Sequence, residues 1–144
     1  MKGVSNMATQ PTCKERIRTH LQSRIADLSK LWELYRQDPE ANDPDLGNFN
    51  EYGLCLDYVA PGTFERQRRG YLRYQLSWGG PGDEFRFYLD ESLNPTRIEY
   101  WFLDWFDGAK IILKGQSLAL LEEIYQDFKE LGVVSHQILM SRDS

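Results

Sequence analysis

From Glu15 to about Gln37, apolar residues fall at Ile17, Leu21, Ile25, Leu28, Trp32 and Tyr35. Steps of four and three put these side chains on one stripe of a helix. Leu31 and Leu34 widen the stripe, so the C-terminal half is expected to be the more deeply buried. The following DPEANDPDLGNFN, with two prolines and three asparagines, ends the helix and reads as a connecting loop. The period then changes to two. Tyr52, Leu54, Leu56 and Tyr58 alternate within an expected strand Tyr52–Val59, and Leu72, Tyr74, Leu76 and Trp78 alternate within Tyr71–Trp78. After the turn Gly79-Gly80-Pro81-Gly82-Asp83, Phe85, Phe87 and Leu89 oppose Glu84, Arg86 and Tyr88, which makes a hairpin. Arg97–Phe106 is apolar on both faces: Ile98, Tyr100, Phe102 and Phe106 on one, Trp101, Leu103 and Trp105 on the other. Such a strand is covered on both sides or presents one side to a partner. Asp107-Gly108 is a turn signal leading into a short strand at Ala109–Leu113. Leu120, Leu121, Ile124, Phe128 and Leu131 mark a last helix, Ser117–Leu131, stopped by Gly132, and Val133–Met140 reads as a strand or packed tail.

Helix, about five strands, helix, with short connections, predicts an α+β fold. The expected form is an antiparallel sheet of about five strands flanked on one face by an N-terminal and a C-terminal helix. Residues 1–12 are expected to be a flexible tail and 13–144 a single domain, a length at which a core forms without disulfides or metal. No apolar run approaches the ~18 residues of a membrane span, and the N-terminus lacks the apolar stretch of a secretory signal. The expectation is a soluble cytoplasmic protein. Cys13 and Cys55 read as two unrelated reduced thiols.

Net charge is −5 and unevenly spread. Residues 1–37 carry seven Lys/Arg against three Asp/Glu, whereas 38–144 carry ten against nineteen. An acidic body disfavours nucleic acid and favours a protein partner with a basic surface. Arg69-Gly70-Tyr71 opens like the motif of single-strand RNA readers, but the face of Tyr71 continues with Arg73 and Gln75, while Tyr74 lies opposite. The basic run Arg66-Gln67-Arg68-Arg69 reads as a solvated turn rather than a phosphate clamp.

No catalytic, metal-binding or cofactor-binding constellation is legible. His20 and His136 stand outside any local motif, Ser77-Trp78-Gly79-Gly80 is not a nucleophile elbow, and Gly79–Gly82 lacks the Lys-Ser/Thr of a phosphate loop. Asp57, Asp83, Glu84, Asp104 and Asp107 could supply acid–base chemistry, although Asp beside Gly is ordinary turn chemistry. Asp104, between Leu103 and Trp105, needs a cationic partner if it is buried. Eleven of the nineteen aromatic residues lie in Tyr71–Asp107, which makes that segment the place to look for a docking surface. The expected surface is acidic and aromatic: Trp101 and Trp105 as anchors, with Asp104, Asp107, Asp83 and Glu84 around them.

The blocks YGLCLDYVAPGTF, YQLSWGGPGDEFRF and RIEYWFLDWFDGA resemble a group of small acidic proteins carried on bacterial plasmids and integrated mobile elements. The resemblance spans about Trp32 to Leu131 and implies accessory cargo of mobile DNA, without an assigned activity or functional residues. Such cargo includes inhibitors of host defence of the anti-CRISPR and anti-restriction types. The leading expectation is therefore a non-enzymatic protein-binding accessory protein. A small enzyme using sheet carboxylates, and a homodimeric structural domain, are the alternatives.

Overall fold

A computed structural model describes residues 12–79, 81–105 and 107–142; the expected tail, apart from Thr12, lies outside them, as do Gly80 and Phe106. The elements in chain order are α1 (Cys13–Gln37), α2 (Phe49–Tyr52), β1 (Cys55–Val59), β2 (Tyr71–Ser77) and β3 (Gly82–Leu89). They are followed by β4 (Pro95–Asp104), β5 (Asp107–Ile112), α3 (Gly115–Glu130) and α4 (Val133–Arg142). The strands form one antiparallel sheet in sequence order, β1-β2-β3-β4-β5. The α+β architecture, with terminal helices flanking a five-stranded antiparallel sheet, is the expected one.

The alternation sorts the sheet into two faces. Leu72, Tyr74, Leu76, Phe85, Phe87, Ile98, Tyr100 and Phe102 join Leu21, Leu28, Leu31, Leu121, Ile124 and Tyr125 in one core between sheet and helices. Truncating a fully buried ring such as Phe85 to alanine costs about 3–5 kcal/mol in lost burial and cavity formation.

Polar locks fix α1 on the sheet. Thr12 and Glu15 form a reciprocal capping box at its start. Halfway along, Arg24 donates two hydrogen bonds to Asp83, at 2.7 and 2.9 Å, and a third to the Tyr52 hydroxyl. Tyr52 donates in turn to Asp27 at 2.7 Å.

Several boundaries differ from expectation. Asp107 and Gly108, read as a turn, open β5 and pair with Asp104 and Leu103, so the turn falls earlier, at Trp105. Tyr52, read as the start of a strand, belongs to the single turn of α2, which Asn48 caps, and β1 begins at Cys55. The hydroxyl of Tyr52 is needed beneath α1, and that requirement overrides the local alternation. Val133–Met140, read as a strand or packed tail, belongs to the helix α4, which restarts after Gly132 at φ +78° and packs against β1.

Candidate functional site

Among the described residues no helix covers the other sheet face, yet it is not a bare polar surface. Register places Cys55, Gln75, Glu84, Trp101 and Lys110 in one row, and Asp57, Arg73, Arg86, Glu99 and Ile112 in the next. Arg73 and Arg86 stand directly opposite, a destabilising arrangement unless each has an acid. Each does. Asp57 receives two bonds from Arg73, at 3.0 and 2.8 Å, and Glu84 receives Arg86 Nε at 2.7 Å.

Glu99 is 0% exposed and lies beneath Trp101, Lys110 and Arg97. Trp101 Nε1 donates to it at 2.9 Å, while Lys110 and Arg97 stand at 3.5 and 3.0 Å. The Arg97 Nε–H is not aimed along that short contact, and Nε has no hydrogen-bond acceptor among the described residues.

Above these ion pairs, cations stack on rings. The Arg86 guanidinium lies over Tyr71 and Trp101, 4.7 and 3.9 Å from their centroids. Arg69 and Arg97 lie over Tyr88, at 5.2 and 4.8 Å. Tyr71 and Tyr88 pack against each other and, with Val59, form a small second core. Burial raises both phenols above their ordinary range, so they stay protonated and add no negative charge here. Guanidiniums lying over aromatic rings can still offer N–H groups to carboxylate or phosphate.

The loop between β1 and β2 folds over the end of this face, organised by one side chain. Gln67 donates to the carbonyls of Ala60 and Arg69, and its own carbonyl accepts from the Phe64 N–H. Arg66 turns the chain in a left-handed conformation, φ 63°. A Cβ on Gly70 would collide with the Tyr58 hydroxyl, so a larger residue there displaces the end of that ring. Loop and sheet flank an open cavity of about 490 Å³. Its floor is Tyr71, Arg86, Tyr88, Arg97 and Trp101, and its wall is Phe64 through Arg69. Five arginines and one glutamate line it, and the volume lies within the range of ligand pockets.

The six expected site residues separate. Trp101 and Glu84 are register partners on the outer face, Trp101 lining the cavity and Glu84 holding Arg86. Asp104 and Asp107 instead secure the start of α1: Asp104 pairs with Arg16 at 2.7 Å, and Asp107 accepts the Cys13 N–H at 2.8 Å. That bond, placed where the helix dipole favours an anion, holds the Asp107 carboxyl below its ordinary range. Asp83 is buried beneath α1. Burial would raise its pKa, but bonds from Arg24, Ser77 and Tyr100 outweigh burial and lower it. Trp105 is 87% exposed in the β4–β5 turn at φ 55° and does not line the cavity.

Sequence reasoning missed the loop arginines as part of a site. Strand alternation already put Arg73, Arg86 and Trp101 on one face with Tyr71. It could not show that residues 64–69 fold back over that face. Among the described residues there is no group of three His, Cys, Asp or Glu able to hold a metal ion, and no helix long and apolar enough to cross a membrane. No family model matches the chain, and no curated protein or solved structure is significantly similar to it.

Proposed function

We propose that this chain is a non-enzymatic binding protein that takes an anionic partner into the arginine-lined cavity on its outer sheet face. The observation that carries this reading is a set of three loop arginines, Arg66, Arg68 and Arg69, that line one concave site and form no ion pair among the described residues, in a protein of net charge −5. The overall charge points to a basic partner, but its field is screened over about 10 Å at moderate salt. Contact is decided by the local groups, and here they are cationic. As cargo of mobile DNA, a setting that rests on the resemblance alone, such a binder would act in the cytoplasm to block a host defence system of the anti-CRISPR or anti-restriction type.

Calorimetric titration with inorganic pyrophosphate at roughly 50 and 300 mM salt tests the site. Saturable binding that weakens at the higher salt is expected, as is its weakening by about tenfold in R68E with the thermal midpoint unchanged. No binding at the lower salt would refute the proposal.

A further inference from the structure

We infer that the cavity is built for a phosphomonoester carried on a planar base: a nucleoside monophosphate, or the 5′-phosphorylated end of a strand. The phosphate lies among Arg66, Arg68 and Arg69, and the base lies against Phe64. This rests on the anion-binding reading above and adds to it the identity of the anion and of the group attached to it.

The charge balance separates the floor from the wall. Arg86 and Arg97 are already matched by Glu84 and Glu99, at 2.7 and 3.0 Å. Among the described residues, none of Arg66, Arg68 and Arg69 forms an ion pair. The acid adjoining them in sequence is Glu65, so the loop carries a net charge of roughly +2, the match of a phosphomonoester at about −1.5 to −2. A lone carboxylate carries one charge and is satisfied by a single bidentate guanidinium, leaving the loop under-compensated.

The aromatic groups make a second division. Tyr71 and Tyr88 are buried, with arginines stacked over their rings, and cannot receive a base. Phe64 is 52% exposed on the cavity wall and has no stacked ring or cation among the described residues. A base placed on it while its phosphate meets the adjacent arginines uses both halves of a nucleotide. Stacking of this kind is sequence-tolerant, because every base has a flat face.

The test is calorimetry on the full chain with 5′-AMP, adenosine and inorganic phosphate, and with a short oligonucleotide with and without its 5′-phosphate. AMP should bind roughly tenfold more tightly than phosphate. F64A should abolish that preference while retaining phosphate binding, and R68E should weaken AMP and phosphate alike by about tenfold. Both side chains are exposed, and circular dichroism establishes that the variants fold. Oligonucleotide binding that requires the 5′-phosphate supports the inference with a strand end as the source; binding of AMP alone supports it with the free nucleotide. AMP no tighter than phosphate, or F64A without effect on the preference, overturns the inference and leaves the anion site standing. If neither phosphate nor pyrophosphate binds, both fall.

Discussion

At the scale of single residues, acids that looked like candidates for function hold the fold together. Asp83 is the clearest. It is nearly inaccessible and accepts two hydrogen bonds from Arg24, one from Tyr100 at 2.6 Å and one from Ser77. D83N leaves the Arg24 charge without its counter-ion, and urea denaturation should show a loss of roughly 2–3 kcal/mol. Trp105 makes the opposite prediction. A bulky residue at φ 55° stores strain of about 1 kcal/mol, so W105G should raise stability by that order and leave pyrophosphate binding unchanged. A loss of binding in W105G would move the site to the β4–β5 turn. Both residues show the limit of the sequence pattern. Alternation named the face of each strand residue, but a carboxylate's partner 59 positions away, as Arg24 is from Asp83, depends on how the helix crosses the sheet.

At the scale of elements, α1 is the piece whose docking sets the pH behaviour. Asp83 beneath its middle and Asp107 at its start both have carboxyls lowered by their hydrogen-bond donors. A carboxylate with a depressed folded pKa contributes its full stability above the unfolded value of about 3.9, and loses it as pH falls through the folded value. The urea midpoint should therefore be flat with respect to these groups from neutrality to about pH 5, then fall steeply below 4. D83N should show a shallower acid limb. An acid limb of the same depth in D83N would contradict the assignment. T12A, which removes one half of the capping box, should cost about 1 kcal/mol at any pH in this range. The long helix, the β2–β3 hairpin and the two-faced β4 were all legible, because their periodicity is sustained over many residues. Short segments were not. A four-residue turn such as α2 is too brief to display a period, and α4 offers only Val134 and Ile138 as inward positions.

At the scale of the whole molecule, net charge and local charge point in different directions. Acidic side chains dominate the second part of the chain, yet those nearest the outer face are spent as counter-ions to arginines: Asp57 to Arg73, Glu84 to Arg86, Glu99 to Arg97. What remains uncompensated at the cavity is the arginine loop. Reading that loop as a solvated turn was sound for an isolated RQRR run. Its meaning changes because Gln67 pins it over a face already carrying Arg86, Arg97 and Trp101. The six residues expected to form one acidic, aromatic grip were legible as a dense segment of sequence. Their separation follows from strand parity, which sends Asp83 inward and its neighbour Glu84 outward. The most direct measurement of the central claim is amide chemical-shift mapping of the full chain as inorganic pyrophosphate is added at low salt. The predicted shifts cluster at residues 64–71, 86–88 and 97–101. Shifts centred on Asp104, Trp105 and Asp107, or no saturable shifts at all, would contradict it.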